Sequence, residues 1–170
     1  KTALQGSELN LNAQSVSLEK PLDLQGTFSG QVDSLQQAAT AAINTLGAFT
    51  LNARGVLQLD GAITSGRTIS ITAGGAIQQG GTWQTEGLGT TGPTKPATAD
   101  IVVTSGGTIT QHTHASTEST GGITYEAAGA ISLTSLVAKG AVEVNTSGGI
   151  IDANGTATNI TGPSVRLISG

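Results

Sequence analysis

Two histidines separated by one residue, His112 and His114, form the pattern in this sequence that comes closest to a metal-binding motif. In a β-strand, residues i and i+2 lie on the same face, so both imidazoles would reach one ion. Glu118 or Glu126 would supply a third ligand. The alternative is a threonine-rich strand whose two histidines face solvent.

The carboxylates are few and dispersed, and no Asp-x-Asp pair occurs among the 11 acidic residues. Asp60 and Arg67 are the nearest acid and base, with Arg54 one repeat earlier. Glycoside cleavage needs two carboxyl groups held at a defined separation. The sequence also lacks a nucleophile elbow, a phosphate-binding loop and the His-Glu-x-x-His motif. We therefore expect no enzymatic activity and no cofactor.

The single tryptophan, Trp83, lies in a segment that departs from the pattern of the rest of the chain. Residues 78–100 also hold two of the 4 prolines, Pro93 and Pro96, and are predicted to form a loop insertion. An exposed Trp83 beside Glu86 would stack on a sugar ring or anchor a partner, so both are candidate binding residues. The alternative is that Trp83 packs on the flank of the fold and the insertion is merely tolerated.

The composition indicates an all-β protein with many short strands. Aromatic residues make up 2% of the chain and charged residues 11%, while glycine occurs 25 times. The net charge is −4 and no cluster of Lys or Arg occurs, which excludes a nucleic-acid-binding surface of the usual kind. Without cysteine, disulfides and thiolate metal sites are also excluded. This amino-acid composition is typical of large bacterial surface proteins.

A short pattern recurs along the chain: two aliphatic residues, a small residue, a glycine and another aliphatic residue occupy every second position. Copies begin at Phe49, Ile69, Ile101, Ile123 and Val142, and a last one begins at Val165. Steps of about 20 residues with period-2 alternation inside each step are typical of a solenoid. A weaker copy holds Leu9, Leu11 and Ala13, after which the register slips to Val16 and Leu18.

Stacking explains the pattern, because one copy cannot bury its aliphatic residues alone and neighbouring copies can. We predict a parallel β-helix in which equivalent aliphatic residues lie above one another. The small residue and the glycine mark a corner, where glycine brings no Cβ into a crowded bend and tolerates positive φ. An antiparallel β-sandwich is the alternative, although it does not require the same corner at the same offset five times.

Residues 31–46 break the repeat. Leu35, Ala38, Ala39, Ala42 and Ile43 follow the 3.6-residue spacing of a helix, and Asp33 or Ser34 is suited to cap it. We predict one short helix at 33–46, with an alanine-rich strand and loop as the alternative. The chain then divides into irregular coils over 1–48 and regular coils over 49–170.

The copies ISITAGGAI, IVVTSGGTI, ITYEAAGAI and VEVNTSGGI resemble the repeats of filamentous haemagglutinin-like exoproteins. The resemblance covers residues 49–170 and implies a right-handed parallel β-helix, export by the two-partner route through an outer-membrane transporter, and a place on or beyond the bacterial cell surface. It also implies adhesion or presentation of a distal domain. The secretion motif of that family is absent from this sequence, so the resemblance is to the shaft.

The function expected from the sequence is a structural or adhesive shaft segment, cut from a longer chain. Its partners would be host or neighbouring-cell surfaces, including glycans, with self-association as a further expectation. The alternative is a carbohydrate-binding or carbohydrate-cleaving β-helix that uses the 78–100 loop.

Overall fold

The computed structural model describes residues 4–87 and 98–170, and the chain there is all β with no helix. Every strand pair in these residues is parallel, so the chain is a β-helix and the sandwich alternative is wrong. Each regular coil contributes three strands, and equivalent strands of successive coils form three columns.

The first column begins with the amino-terminal halves of two long strands, Leu9–Leu18 and Phe28–Gln37. It continues with Phe49–Ala53, Ile69–Ala73, Ile101–Ser105, Ile123–Ala127, Val142–Thr146 and Val165–Ser169. The second column contains the carboxyl-terminal halves of the two long strands, followed by Leu57–Leu59, Ile77–Gln79, Ile109–Gln111, Ile131–Leu133 and Ile150–Asp152. The two long strands join these two columns into one 13-stranded sheet.

The third column forms the separate 8-stranded sheet. Its strands are Leu4–Gly6, Leu22–Leu24, Ile43–Thr45, Ile63–Ser65, Thr82–Thr85, Ser116–Ser119, Leu136–Ala138 and Ile160–Thr161. No helix in the described part of the chain is long and apolar enough to cross a membrane.

The predicted stacking of equivalent aliphatic residues is confirmed in the first column. Phe49 pairs with Ile69, Ile69 with Ile101, and Ile101 with Ile123, all in register. Phe28 and Phe49 stack with ring centroids 4.7 Å apart. These inward side chains are fully buried and form one continuous core along the solenoid, because period-2 alternation sends every second residue to the same side.

Crowding from the previous coil, rather than left-handed backbone, explains the corner glycines. A Cβ at Gly107 would lie 2.9 Å from the backbone nitrogen of Ala76, and one at Gly55 would lie 2.9 Å from the carbonyl oxygen of Asp33. Among the described glycines only Gly87 and Gly155 have positive φ. The predicted lack of room for Cβ is therefore confirmed, and the predicted need for positive φ at these corners is wrong.

The helix predicted at 33–46 is wrong. Residues up to Gln37 continue the strand Phe28–Gln37, and Ile43–Thr45 is a third-column strand. Leu35 pairs with Val16 on one side and with Leu57 on the other, so the segment is held within the sheet. Short helices are marginal on their own, and pairing with two neighbouring strands outweighs the high helix propensity of the alanines.

The loop predicted at 78–100 is shorter than expected. Ile77–Gln79 and Thr82–Thr85 are regular strands of the second and third columns, so the departure from the repeat begins after Thr85. Residues 88–97, which include Pro93 and Pro96, lie outside the described residues.

Candidate functional site

The histidine pair lies on a turn and not on a strand. His112, Thr113 and His114 follow the strand Ile109–Gln111 and are exposed, and His114 adopts a left-handed φ of 72°. The shared-face geometry expected for the pair is therefore wrong. Glu118 faces outward on the third column and Glu126 on the first column, so the two carboxylates considered as third ligands lie on different faces. The described residues contain no group of three or more metal-ligating side chains.

Trp83 is fully buried and does not form a surface site. It sits in the third column between Ile63 and Thr117, with 0% of its surface exposed. An indole in this position cannot stack on a sugar, so its role as an exposed binding residue is wrong. Trp83 packs inside the core, whereas the alternative expected it on the flank of the fold. Its Nε1 has no hydrogen-bond partner among the described residues.

Glu86 is exposed, as a binding residue must be, at a shallow surface groove of about 430 Å³. Asp23 and Asn44 line the same groove, and the Asn44 Nδ2 donates to Asp23 Oδ1 at 2.7 Å. Leu46 adds an apolar side chain that is 47% exposed. The groove thus brings together Glu86 and Asp23, although the candidate partner Trp83 is absent from its lining.

Of the acid and base residues singled out in the sequence, Asp60 and Arg54 make local contacts. Asp60 accepts a hydrogen bond from Gln58 Nε2 at 2.7 Å, whereas Arg67 follows the third-column strand Ile63–Ser65. Arg54 pairs with Asp33 of the preceding coil at 3.3 Å. On Asp152 the pKa is lowered by the backbone N–H of Asn154 and by further donors from Asn159 and Gly155.

A polar network inside the solenoid was not anticipated from the sequence. Tyr125 Oη donates to Gln79 Oε1 at 2.9 Å and lies 2.7 Å from Thr117 Oγ1. Gln79 Nε2 in turn donates to the carbonyl oxygen of Ser116 at 2.8 Å. Burial raises the pKa of the Tyr125 hydroxyl well above its ordinary value, so the phenol is neutral. These groups fulfil the hydrogen-bonding needs of buried strand ends and do not reach solvent.

A polar surface groove of about 460 Å³ lies beside the first column in the first three coils and is here called the corner groove. One wall consists of outward amides in register, Asn12 with Gln31 and Gln31 with Asn52. The backbone of Ala13, Val32 and Ala53 forms the floor. The other wall consists of the residues that follow the floor: Gln14, Asp33 and Arg54.

The second wall is specific to the first three coils. In later coils the position of Gln14, Asp33 and Arg54 holds small residues: Gly74, Gly106, Ala128 and Ser147. The equivalent depression over the later coils, lined by Thr104, Glu126 and Asn145 among others, is about 230 Å³, half the size. The first three coils therefore carry six polar side chains on two facing walls. The later coils keep only the wall that corresponds to Asn12, Gln31 and Asn52.

No family model, curated protein or solved structure matches this chain.

Sequence reasoning missed the corner groove because it placed Asp33 at the start of a helix. Aligning Phe28-Ser-Gly-Gln-Val32 with Phe49-Thr-Leu-Asn-Ala53 would have put Gln31 beside Asn52 and Asp33 beside Arg54. The signal was weak, because Ser34 stands where Gly55 marks the corner of the next coil.

Proposed function

We propose that this chain is a structural and adhesive shaft segment of a large secreted bacterial surface protein. The observation that carries the proposal is the unbroken register of the first column, from Leu9 through Phe28 to Val165, across every described coil. A solenoid whose coils contact only their neighbours makes a stiff, extendable rod. Such a rod places an attached domain at a distance from the surface that bears it.

The proposed role is passive and non-enzymatic, and it needs no cofactor. The described acidic side chains are spread over different corners and faces, and the ion pairs Arg54–Asp33 and Arg166–Glu143 connect adjacent coils. Both pairs are exposed, so they contribute little to stability. This dispersed arrangement of charged side chains supports a structural role, because the charges are spread over successive coils and do not converge on one reaction centre.

The proposed partners are host or neighbouring-cell surfaces, with an outer-membrane transporter acting during export. Support comes from the repeat pattern that resembles filamentous haemagglutinin-like exoproteins and from the β-helix that this pattern forms. Coils that bury their core through local stacking can fold one after another as the chain emerges, since each needs only its predecessor.

Surface labelling of the source cells tests the proposal. An antibody raised against the purified chain should label intact cells, and brief protease treatment of those cells should remove the label. Labelling that appears only after lysis would overturn the surface assignment. Beads coated with the chain should then adhere to epithelial or bacterial cells more than beads coated with a β-helix of unrelated surface, and equal adherence would overturn the adhesive role.

A further inference from the structure

We propose that the corner groove binds an uncharged oligosaccharide that lies along the solenoid axis. The inference rests on the proposed adhesive role and gives that role a ligand class and a place. It differs from the carbohydrate site expected from the sequence, which used Trp83 and the loop that follows it. The side chains that define the groove are Asn12, Gln14, Gln31, Asp33, Asn52 and Arg54.

The chemistry of the walls suits hydroxyl groups. Each carboxamide offers donors and acceptors together, as each sugar hydroxyl does. Asp33 and Arg54 add one strong acceptor and one strong donor, and they neutralise each other at 3.3 Å. The six side chains therefore carry no net charge, which favours an uncharged ligand over an anionic one.

The spacing of the walls suits a polymer. Asn12, Gln31 and Asn52 occupy one register position on successive coils, and parallel strands lie about 4.8 Å apart. A side-chain carboxamide thus recurs at regular intervals along the axis. A linear oligosaccharide also extends along one axis, so a ligand in the groove would contact the side chains of successive coils.

The floor of the groove argues against a peptide ligand. The middle floor residue, Val32, belongs to a strand that is hydrogen-bonded to a neighbour on both sides, so its backbone is not free to pair with an added strand. The lining offers no exposed aliphatic side chain to anchor a peptide residue. The walls contribute only polar, exposed or half-buried groups, namely the four amides, the carboxylate of Asp33 and the guanidinium of Arg54.

The extended strands explain why the groove is wide here. Leu9–Leu18 and Phe28–Gln37 run through the first corner without a break, whereas later coils turn sharply at Gly55, Gly75 and their equivalents. Ser15 and Ser34 take the place of those glycines, with their Oγ atoms 3.5 Å apart. The flatter corner holds Gln14 and Asp33 opposite the amide wall.

Titration with defined sugars tests the inference. The ¹⁵N-labelled chain is mixed in turn with cellohexaose, xylohexaose, mannohexaose and maltohexaose, and a sulfated heparin hexasaccharide serves as the anionic probe. At least one neutral probe should shift the side-chain amide signals of Asn12, Gln31 and Asn52. In Gln31→Ala and Asn52→Ala, affinity should fall about tenfold, the effect of losing one hydrogen bond.

The matched control is Asn145→Ala, which removes the equivalent outward amide from the one-walled half of the solenoid. Its affinity should equal that of the parent chain. All three positions are at least partly exposed, so the variants should retain the fold. An unchanged Trp83 emission spectrum in each variant checks this. The inference is overturned if no neutral probe binds, if only the sulfated probe binds, or if all three variants bind like the parent. None of these results would disturb the surface-labelling test of the shaft itself.

Discussion

Gln79 and Gln111 lie on adjacent coils inside the solenoid, and the Nε2 of Gln111 donates to the Oε1 of Gln79 at 3.0 Å. The two residues are 32 positions apart in sequence and are paired in register in the second column. Each is almost wholly buried at the carboxyl end of its strand. Their side chains donate to carbonyl groups at the corner, Gln79 to Gly81 and Ser116 and Gln111 to Ser135, so the interior is aliphatic along the strands and polar at this corner.

Replacing Gln79 should therefore destabilise the fold. In Gln79→Leu, Tyr125 and Gln111 lose a partner and the carbonyl of Ser116 loses a donor. Buried polar groups left unpaired cost about 1–3 kcal/mol each, so we expect the free energy of unfolding to fall by at least that amount. Urea unfolding followed by Trp83 fluorescence measures it. The adjacent, outward-facing Gln78 provides the control, since Gln78→Leu should change stability by less than about 0.5 kcal/mol. Equal effects of the two substitutions would contradict the role given to the network.

Alkaline pH should destabilise the chain through Tyr125, the only tyrosine. Its raised pKa means that the folded state holds the phenolic proton more tightly than the unfolded state. The stabilisation is fully present below the unfolded pKa of about 10 and is lost as pH rises from there towards the folded pKa, at up to about 1.4 kcal/mol per pH unit. Absorbance at the tyrosinate wavelength should thus appear together with unfolding.

Tyr125→Phe isolates this effect. The variant should lose the steep alkaline dependence that the parent shows, while at neutral pH it should be less stable by about 1–2 kcal/mol because Gln79 and Thr117 lose a partner. Tyrosinate absorbance that develops well before the fold is lost would show that the hydroxyl is accessible to solvent and would contradict the burial.

The corner glycines should differ in their tolerance of a methyl group. A Cβ at Gly107 meets the backbone of the previous coil, whereas a Cβ at Gly149 meets nothing within 4 Å. Gly107→Ala should lower stability by about 1–3 kcal/mol, the usual cost of overpacking. Gly149→Ala should be neutral or stabilise by up to about 1 kcal/mol, because it restricts the unfolded chain. Thermal unfolding by circular dichroism compares them, and a Gly107 variant as stable as the parent would contradict the crowding explanation.

Trp83 should behave as an interior fluorophore. Because its side chain is completely buried, native emission should be blue-shifted and acrylamide should quench it far less than in urea. Adding any of the oligosaccharides named above should leave that emission unchanged, since the corner groove does not include Trp83. Native quenching close to that of the unfolded chain would place the indole at the surface and restore it as a binding residue.

Much of the fold could be read from local spacing. The six strands that begin at Phe49, Ile69, Ile101, Ile123, Val142 and Val165 lie where the repeat predicts them. The coil containing Phe28–Gln37 could not be recognised in the same way, because Gly30 replaces an inward aliphatic residue and Ser34 replaces the corner glycine. With both markers changed, the alanine spacing that follows suggested a helix.

The candidate site could not be read in this way. Asn12, Gln31 and Asn52 look like isolated polar residues in the sequence. Only the stacking of coils, whose aligned positions are 19 and 21 residues apart in number, brings them into one wall. The metal site suggested by His112 and His114 failed for a related reason, since both lie on a turn that the period of a strand does not describe.

The sequence by itself determined that side chains alternate between a core and a surface. Along a strand, successive side chains point to opposite faces, so every second residue points into the core. It also indicated where the regular corners fall, because the glycines at those corners leave room for the backbone of the previous coil. Only the tertiary structure decided which residues of different coils become neighbours. That choice depends on the length of every intervening turn, which is how Gln79 meets Gln111, how Trp83 is buried, and how six separate polar residues enclose one groove.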